Sequence, residues 1–173
     1  MLMQPLVSRR SIRKYKNTPV TRGQLKLLLE AAMISPSACN TRPWRFIAIT
    51  NRELLNKIGD VHNYAKMLYT AQAAIVVVAL PDAQKGVRDG LAEGFYPQDC
   101  GAATQSILLQ AEAIGLSACW CGVMPKEGTM KVVRELLEVP DNEIPFCVIA
   151  IGERDENPDP RGKYDEEKVA WVE

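Results

Sequence analysis

Arg9-Arg10-Ser11-Ile12-Arg13 puts three guanidinium groups and a hydroxyl within five residues. Guanidinium forks match the oxygens of a phosphate and hold them through paired, charge-assisted hydrogen bonds. A second polar cluster follows at Ser35-Pro36-Ser37-Ala38-Cys39-Asn40-Thr41-Arg42-Pro43-Trp44, where two prolines stiffen a loop rich in amide and hydroxyl groups. Together the clusters imply a phosphorylated ligand bound close to the amino-terminal end. The plainer alternatives are arginines that form only surface ion pairs, each worth at most about 1 kcal/mol, and a proline-bracketed turn without a ligand.

The other chemistry-bearing residues are less directive. Five cysteines, at 39, 100, 119, 121 and 147, include no CxxC pair, and the single His62 cannot complete a Cys/His zinc set, so no metal is expected. Cys119-Trp120-Cys121 lies in a stretch that reads as a strand, which would put both thiols on one face about 6–7 Å apart. Buried, unreactive thiols are the expectation. His62 reads as a surface residue, and Trp120 as core packing or packing against a ligand edge.

The elements that would position these residues follow from periodicity. Thr21-Arg22-Gly23-Gln24 has the form of a capping box, and apolar residues at 25, 28, 29, 32 and 33 predict a helix over 22–34. Residues 45–50 alternate as a half-buried strand and 52–59 as a short helix, so the polar loop joins a helix to a strand. The run AAIVVVAL, residues 73–80, is a central strand buried on both faces. A helix from Asp99 closes at Gly115, and strands over 117–123 and 146–152 flank a helix over 126–138. Helices covering a sheet are the expected architecture. A polar, proline-punctuated arm from about 154 ends in Lys168-Val169-Ala170-Trp171-Val172, which alternates like a lone strand. It would either fold back on its own domain or add to the sheet of a second copy.

Bulk properties bound the function. The chain of 173 residues fits one domain, spanning 1–173. Its 21 basic and 21 acidic residues cancel, which disfavours nucleic acid as a partner. The longest apolar run has eight residues, too short for a bilayer, and no signal-like segment opens the chain. A soluble, cytoplasmic protein is the expectation.

RRSIRKY, SPSACNTRPWRFI, HNYAKML running into AAIVVVAL, and DCGAATQSILLQAEAIGLSACWCGV together resemble the flavin-dependent nitroreductase family in order, spacing and chain position. The resemblance implies an α+β sandwich with a central mixed or antiparallel sheet flanked by helices. It further implies a homodimer with FMN at each of two sites across the interface. It assigns Arg9, Arg10, Ser11 and Arg13 to the phosphate, ribityl chain and pyrimidine edge. Pro36, Ser37, Ala38 and Asn40 line the flavin from the partner subunit. Asn63 bonds the pyrimidine ring, unless it merely caps the following turn. Cys121-Gly122 supplies backbone near flavin N5, and Arg161 and Lys163 supply further phosphate contacts. Thr41-Arg42 departs from many relatives, which leaves the role of Arg42 open.

The implied chemistry belongs to the flavin, with no catalytic acid or base required of the side chains. Arg13 or Lys66 would stabilise charge near N1 and O2 of the reduced flavin. The expected function is reduction of small electrophilic acceptors, nitroaromatics or quinones, by NADH or NADPH in a ping-pong exchange. The alternatives are other flavin chemistry, such as dehalogenation or substrate oxidation, and a non-catalytic FMN storage or sensing protein.

Overall fold

The computed structural model describes residues 1–160, 162 and 164–173. A short helix α1 (Gln4–Ser8) precedes α2 (Arg22–Met33), and both halves of the expected capping box are present. The Thr21 hydroxyl accepts from the Gln24 amide at 3.1 Å, and the Gln24 side chain accepts from the Thr21 amide at 2.9 Å. Strand β1 (Trp44–Ile49), helix α3 (Arg52–Val61) and strand β2 (Ala73–Ala79) follow, then α4 (Tyr96–Ala113), β3 (Ser117–Gly122), α5 (Glu127–Leu137) and β4 (Ile144–Gly152). Helix α4 starts three residues before the predicted Asp99, because Pro97 sits in its first turn, where no amide hydrogen is needed.

The four strands form one antiparallel sheet in the order β1-β2-β4-β3. The central pair explains the composition of the chain. Residues 73, 75, 77 and 79 of β2 and 147, 149 and 151 of β4 face one core, with Leu25, Leu28, Ala103 and Ile107 of α2 and α4. Residues 74, 76 and 78 with 148 and 150 face the other, against Leu55 and Ile58 of α3 and Val133 of α5. A strand with side chains on two dry faces must be apolar throughout, and β2 is buried along its whole length. The result is a helix–sheet–helix sandwich.

The segment after α1 is stapled beside β3. Ser11 bridges Ala118 in parallel, and the Ile12 amide donates to the Ala118 carbonyl at 3.3 Å. Tyr15 then pairs with Arg154, just beyond β4. Within one chain the tail does not fold back as a strand: residues 166–168 make a 3₁₀ turn, and Trp171 and Val172 are 76% and 96% exposed. Alternation alone makes no strand, because a strand needs a neighbour for its hydrogen bonds, and the tail has none among the described residues.

Candidate cofactor site

Ile12 decides how the basic cluster is displayed. Its side chain is completely buried, and its carbonyl accepts the Tyr15 hydroxyl at 2.6 Å. With Ile12 turned inward, Arg9, Arg10, Ser11 and Arg13 wall a cavity of about 120 Å³ together with Pro158 and Asp159. The arm that brings Pro158 and Asp159 there is fixed by Glu156, whose carboxylate accepts the Arg13 amide and the Lys14 amide, the latter at 3.2 Å.

Arg10 donates from one terminal nitrogen to the Val7 and Arg9 carbonyls, at 2.7 and 2.8 Å. Its Nε is buried and has no hydrogen-bond partner among the described residues. An unpaired buried donor costs about 1–3 kcal/mol, more when it is charged. Three guanidinium side chains and a serine around one cavity fit a phosphate group. Arg161 and Lys163, the further phosphate contacts expected from the sequence, lie outside the described residues.

Arg13 also borders an adjoining groove formed with Lys14, Asn63, Tyr64, Lys66, Met67 and Tyr69. Asn63 stands exposed on the turn after α3, and the 3₁₀ turn Lys66–Tyr69 begins without a side-chain cap, so capping is not its role. Lys66 donates to the Gly59 carbonyl at 2.8 Å, which ties its ammonium to the last turn of α3.

His62 corrects the sequence expectation. It is 2% exposed rather than a surface residue, because it ends α3 where the chain turns inward beneath β3. Its Nε2–H donates to the Gly122 carbonyl at 3.0 Å, while Nδ1 accepts the Tyr64 amide at 3.3 Å. Both bonds together define a neutral imidazole in one tautomer. Burial, aided by the nearby Lys66 charge, pushes its pKa below the usual value, against the opposing effect of the Gly122 carbonyl. His62 thus ties the Asn63 turn to the end of β3, a link that sequence spacing does not reveal.

Gly122 is exposed, and a Cβ there would come no closer than 3.9 Å to its own chain, at the Met124 carbonyl. Among the described residues, nothing crowds a side chain at that position. The Cys121 side chain is buried in the core, with Sγ 3.4 Å from Met67 Sδ. Cys100, Cys119, Cys121 and Cys147 are all buried, and burial pushes the Cys147 thiol up to about 12. Trp120, 38% exposed, leans on Phe146 with ring centroids 6.0 Å apart.

The loop from Ser35 to Pro43 is built separately, between α2 and β1. Ser35 is buried and pairs with Ser106 of α4 at 2.7 Å. Ser37 Oγ accepts the Arg42 amide at 2.9 Å, and Arg42 Nε donates to Asn40 Oδ1 at 3.1 Å. Arg42 thereby acquires a role that the sequence left open: it braces the loop. Pro36 and Asn40 are exposed, and Ser37 and Ala38 are half-buried. None of the four borders the arginine cavity or the Asn63 groove among the described residues.

Sequence reasoning missed His62, Gln84, Asp99 and Glu156. Only Asp99 carried a signal, as an acid in the first turn of a helix.

The family model for the nitroreductase family matches residues 6–63 and 60–153. A protein of Methanothermobacter thermautotrophicus, provisionally named an NADH dehydrogenase/NAD(P)H nitroreductase, is 40% identical over 168 residues, 97% of this chain and 85% of its own length. A solved structure from Parabacteroides distasonis under the same provisional name superposes with a TM-score of 0.89 at 33% identity, covering 97% of this chain and 95% of that one. The FMN-dependent nitroreductase from Clostridium difficile superposes with a TM-score of 0.85 at 30% identity, covering 99% of both chains.

Proposed function

The chain belongs to the nitroreductase family, and from that premise we propose that its amino-terminal arginine cradle and the adjoining groove hold the FMN of an NAD(P)H-dependent oxidoreductase. One observation carries the placement: Arg9, Arg10, Arg13 and Ser11 wall one cavity, and Arg13 also borders the groove lined by Asn63 and Lys66.

When bound, FMN supplies the electron chemistry, accepting hydride at N5 and passing it to an acceptor. The residues position and polarise. Arg9, Arg10 and Ser11 would hold the phosphate and ribityl chain, and Arg13, which borders both cavity and groove, would lie between phosphate and ring. Asn63 bonds the pyrimidine edge, held in place by the His62–Gly122 link. The backbone of Cys121-Gly122 borders the ring. Arg13 and Lys66 set the positive potential where the reduced ring carries negative charge. If Lys66→Met leaves the flavin midpoint potential unchanged, Lys66 has no such role.

The loop bearing Pro36, Ser37, Ala38 and Asn40 completes the site from a second copy of the chain. Leu2, Met3, Leu6, Val7 and Ile34 support that arrangement, since all are exposed on and around α1. The whole chain, 1–173, then acts as one FMN-binding domain with an arm from about 154 that reaches toward the partner. Small electrophilic acceptors, nitroaromatics and quinones, are the proposed substrates, in a ping-pong exchange at one site. The protein works in the cytoplasm on this reading.

The test is an absorbance spectrum of protein reconstituted with FMN and desalted, recorded before and after anaerobic NADH and then NADPH. Retained flavin that bleaches is the expected result, and it ranks the donors. Retained flavin that stays oxidised would replace reduction by nicotinamide with another flavin chemistry or with storage. Loss of the flavin on desalting would overturn the site.

A further inference from the structure

Three non-glycine residues of the Ser37–Arg42 loop have left-handed backbone: Cys39 at φ 50°, Asn40 at φ 54° and Arg42 at φ 47°. Asparagine tolerates that region, but cysteine and arginine enter it at a cost that the surroundings must offset. The loop's own bonds supply part of this, from Asn40 to Ser37 at 2.9 Å and from Thr41 to Ala38 at 3.0 Å along the backbone, with Arg42 bonded to Ser37 and Asn40.

The remainder comes from two distant elements. Asp99, in the first turn of α4, is 7% exposed, and Gln84, on the 3₁₀ turn Pro81–Gln84 after β2, is completely buried. Asp99 Oδ1 accepts the Ala38 amide at 3.1 Å, and Oδ2 accepts Gln84 Nε2 at 2.8 Å. Gln84 Nε2 also donates to Thr41 Oγ1 at 3.3 Å, and the Thr41 hydroxyl donates to the Ala38 carbonyl at 2.8 Å. The circuit begins and ends on Ala38. Gln84 cannot turn its amide over, because Oε1 accepts the Tyr96 amide at 2.8 Å. Neither Asp99 nor Gln84 borders the arginine cavity or the Asn63 groove.

We infer that Asp99 and Gln84 are the positioning residues of this loop, a buried acceptor–amide pair that holds the left-handed backbone and so presents Ser37, Ala38 and Asn40 to the flavin. The last clause rests on the proposed reading of the loop as a flavin wall; the holding of the backbone does not. The circuit needs an acceptor-only group at 99, since each carboxylate oxygen faces an N–H. In Asp99→Asn, either orientation of the new amide sets a donor against the Ala38 amide or against Gln84. The paired variant Asp99→Asn with Gln84→Glu restores the matches at position 99. The amide oxygen at position 99 then accepts from Ala38, and the amide nitrogen donates to the new carboxylate at position 84. The other oxygen of that carboxylate accepts from Tyr96, while the single Thr41 proton can serve either the carboxylate or the Ala38 carbonyl, so one bond of the circuit stays lost.

The experiment compares the wild type, Asp99→Asn and the paired variant by amide hydrogen exchange of the FMN-free protein and by quenching of FMN fluorescence on binding. Asp99→Asn is expected to speed exchange at Ala38 and weaken FMN binding, each about tenfold, as one lost hydrogen bond to a charged group would. The paired variant should recover most of the Ala38 protection and part of the FMN affinity. Wild-type exchange at Ala38 in Asp99→Asn would overturn the inference, and so would a folded paired variant that rescues nothing. Should Asp99→Asn fail to fold, Thr41→Val opens the same circuit from its solvent side, and unchanged Ala38 exchange there would equally overturn it. Faster exchange with unchanged FMN affinity would uphold the positioning and remove the loop from the flavin site.

Discussion

At the scale of single residues, the site depends on groups whose alternatives to ligand binding are poor. Arg10 already commits one terminal nitrogen to two carbonyls, and its buried Nε has no partner among the described residues. Arg10→Ala is expected to weaken FMN binding by about ten- to a hundredfold, the worth of a charged hydrogen bond, measured by flavin fluorescence titration. His62 yields a pH dependence. Its folded pKa lies below the unfolded value near 6.5, so the stability contributed by the neutral ring is complete above about 6.5. That contribution is lost as pH falls through the folded value, because a protonated Nδ1 can no longer accept the Tyr64 amide. His62→Gln keeps a donor for Gly122 but does not titrate. Urea melts at pH 7.5 and pH 5.5 should show a smaller acid loss in the variant than in the wild type.

At the scale of elements, the cradle is only as good as the staple that holds residues 11–15 against the sheet. That staple runs through Tyr15, which is 5% exposed and lies over the end of β4. A Cβ on Gly152 would come within 2.8 Å of the Tyr15 ring and 3.2 Å of its Cβ. Gly152→Ala should therefore cost about 1–3 kcal/mol in urea unfolding, typical of overpacking. It should also weaken FMN binding, since Tyr15 cannot shift without moving Ile12 and the arginines around it. Most of the elements were legible beforehand for a physical reason. The capping box of α2 and the unbroken apolar run of β2 are local patterns, set by hydrogen bonds within one turn and by burial on two faces. The tail is different, because its alternation at 168–172 specifies a strand only when a partner strand is present, and among the described residues of one chain none is.

At the scale of the whole molecule, the two polar clusters that suggested one site stand on different elements of the chain, the cradle beside β3 and the loop at the start of α4. The proposed dimer brings the loop of one copy to the cradle of the other. Ile34, 84% exposed at the end of α2, belongs to the apolar surface that this pairing would cover. Ile34→Glu is expected to shift the protein toward monomer in sedimentation velocity and to weaken FMN binding in proportion. Monomers that keep wild-type FMN affinity would show that each chain forms its site alone.

By itself the sequence determined what depends on near neighbours. It specified the helices and strands from periodicity, the sandwich from the doubly buried β2, and the chemistry of the cradle from three arginines in five residues. The tertiary structure alone decided which distant groups meet. His62 meets Gly122 across 60 residues, and Gln84 meets Asp99 and Thr41 across 15 and 43. The reason is that a buried polar group is stable only when its donors and acceptors are matched, and the match is made in space. No interval along the chain records that Gln84, in an ordinary polar stretch, would be sealed beneath the loop and hold it in place.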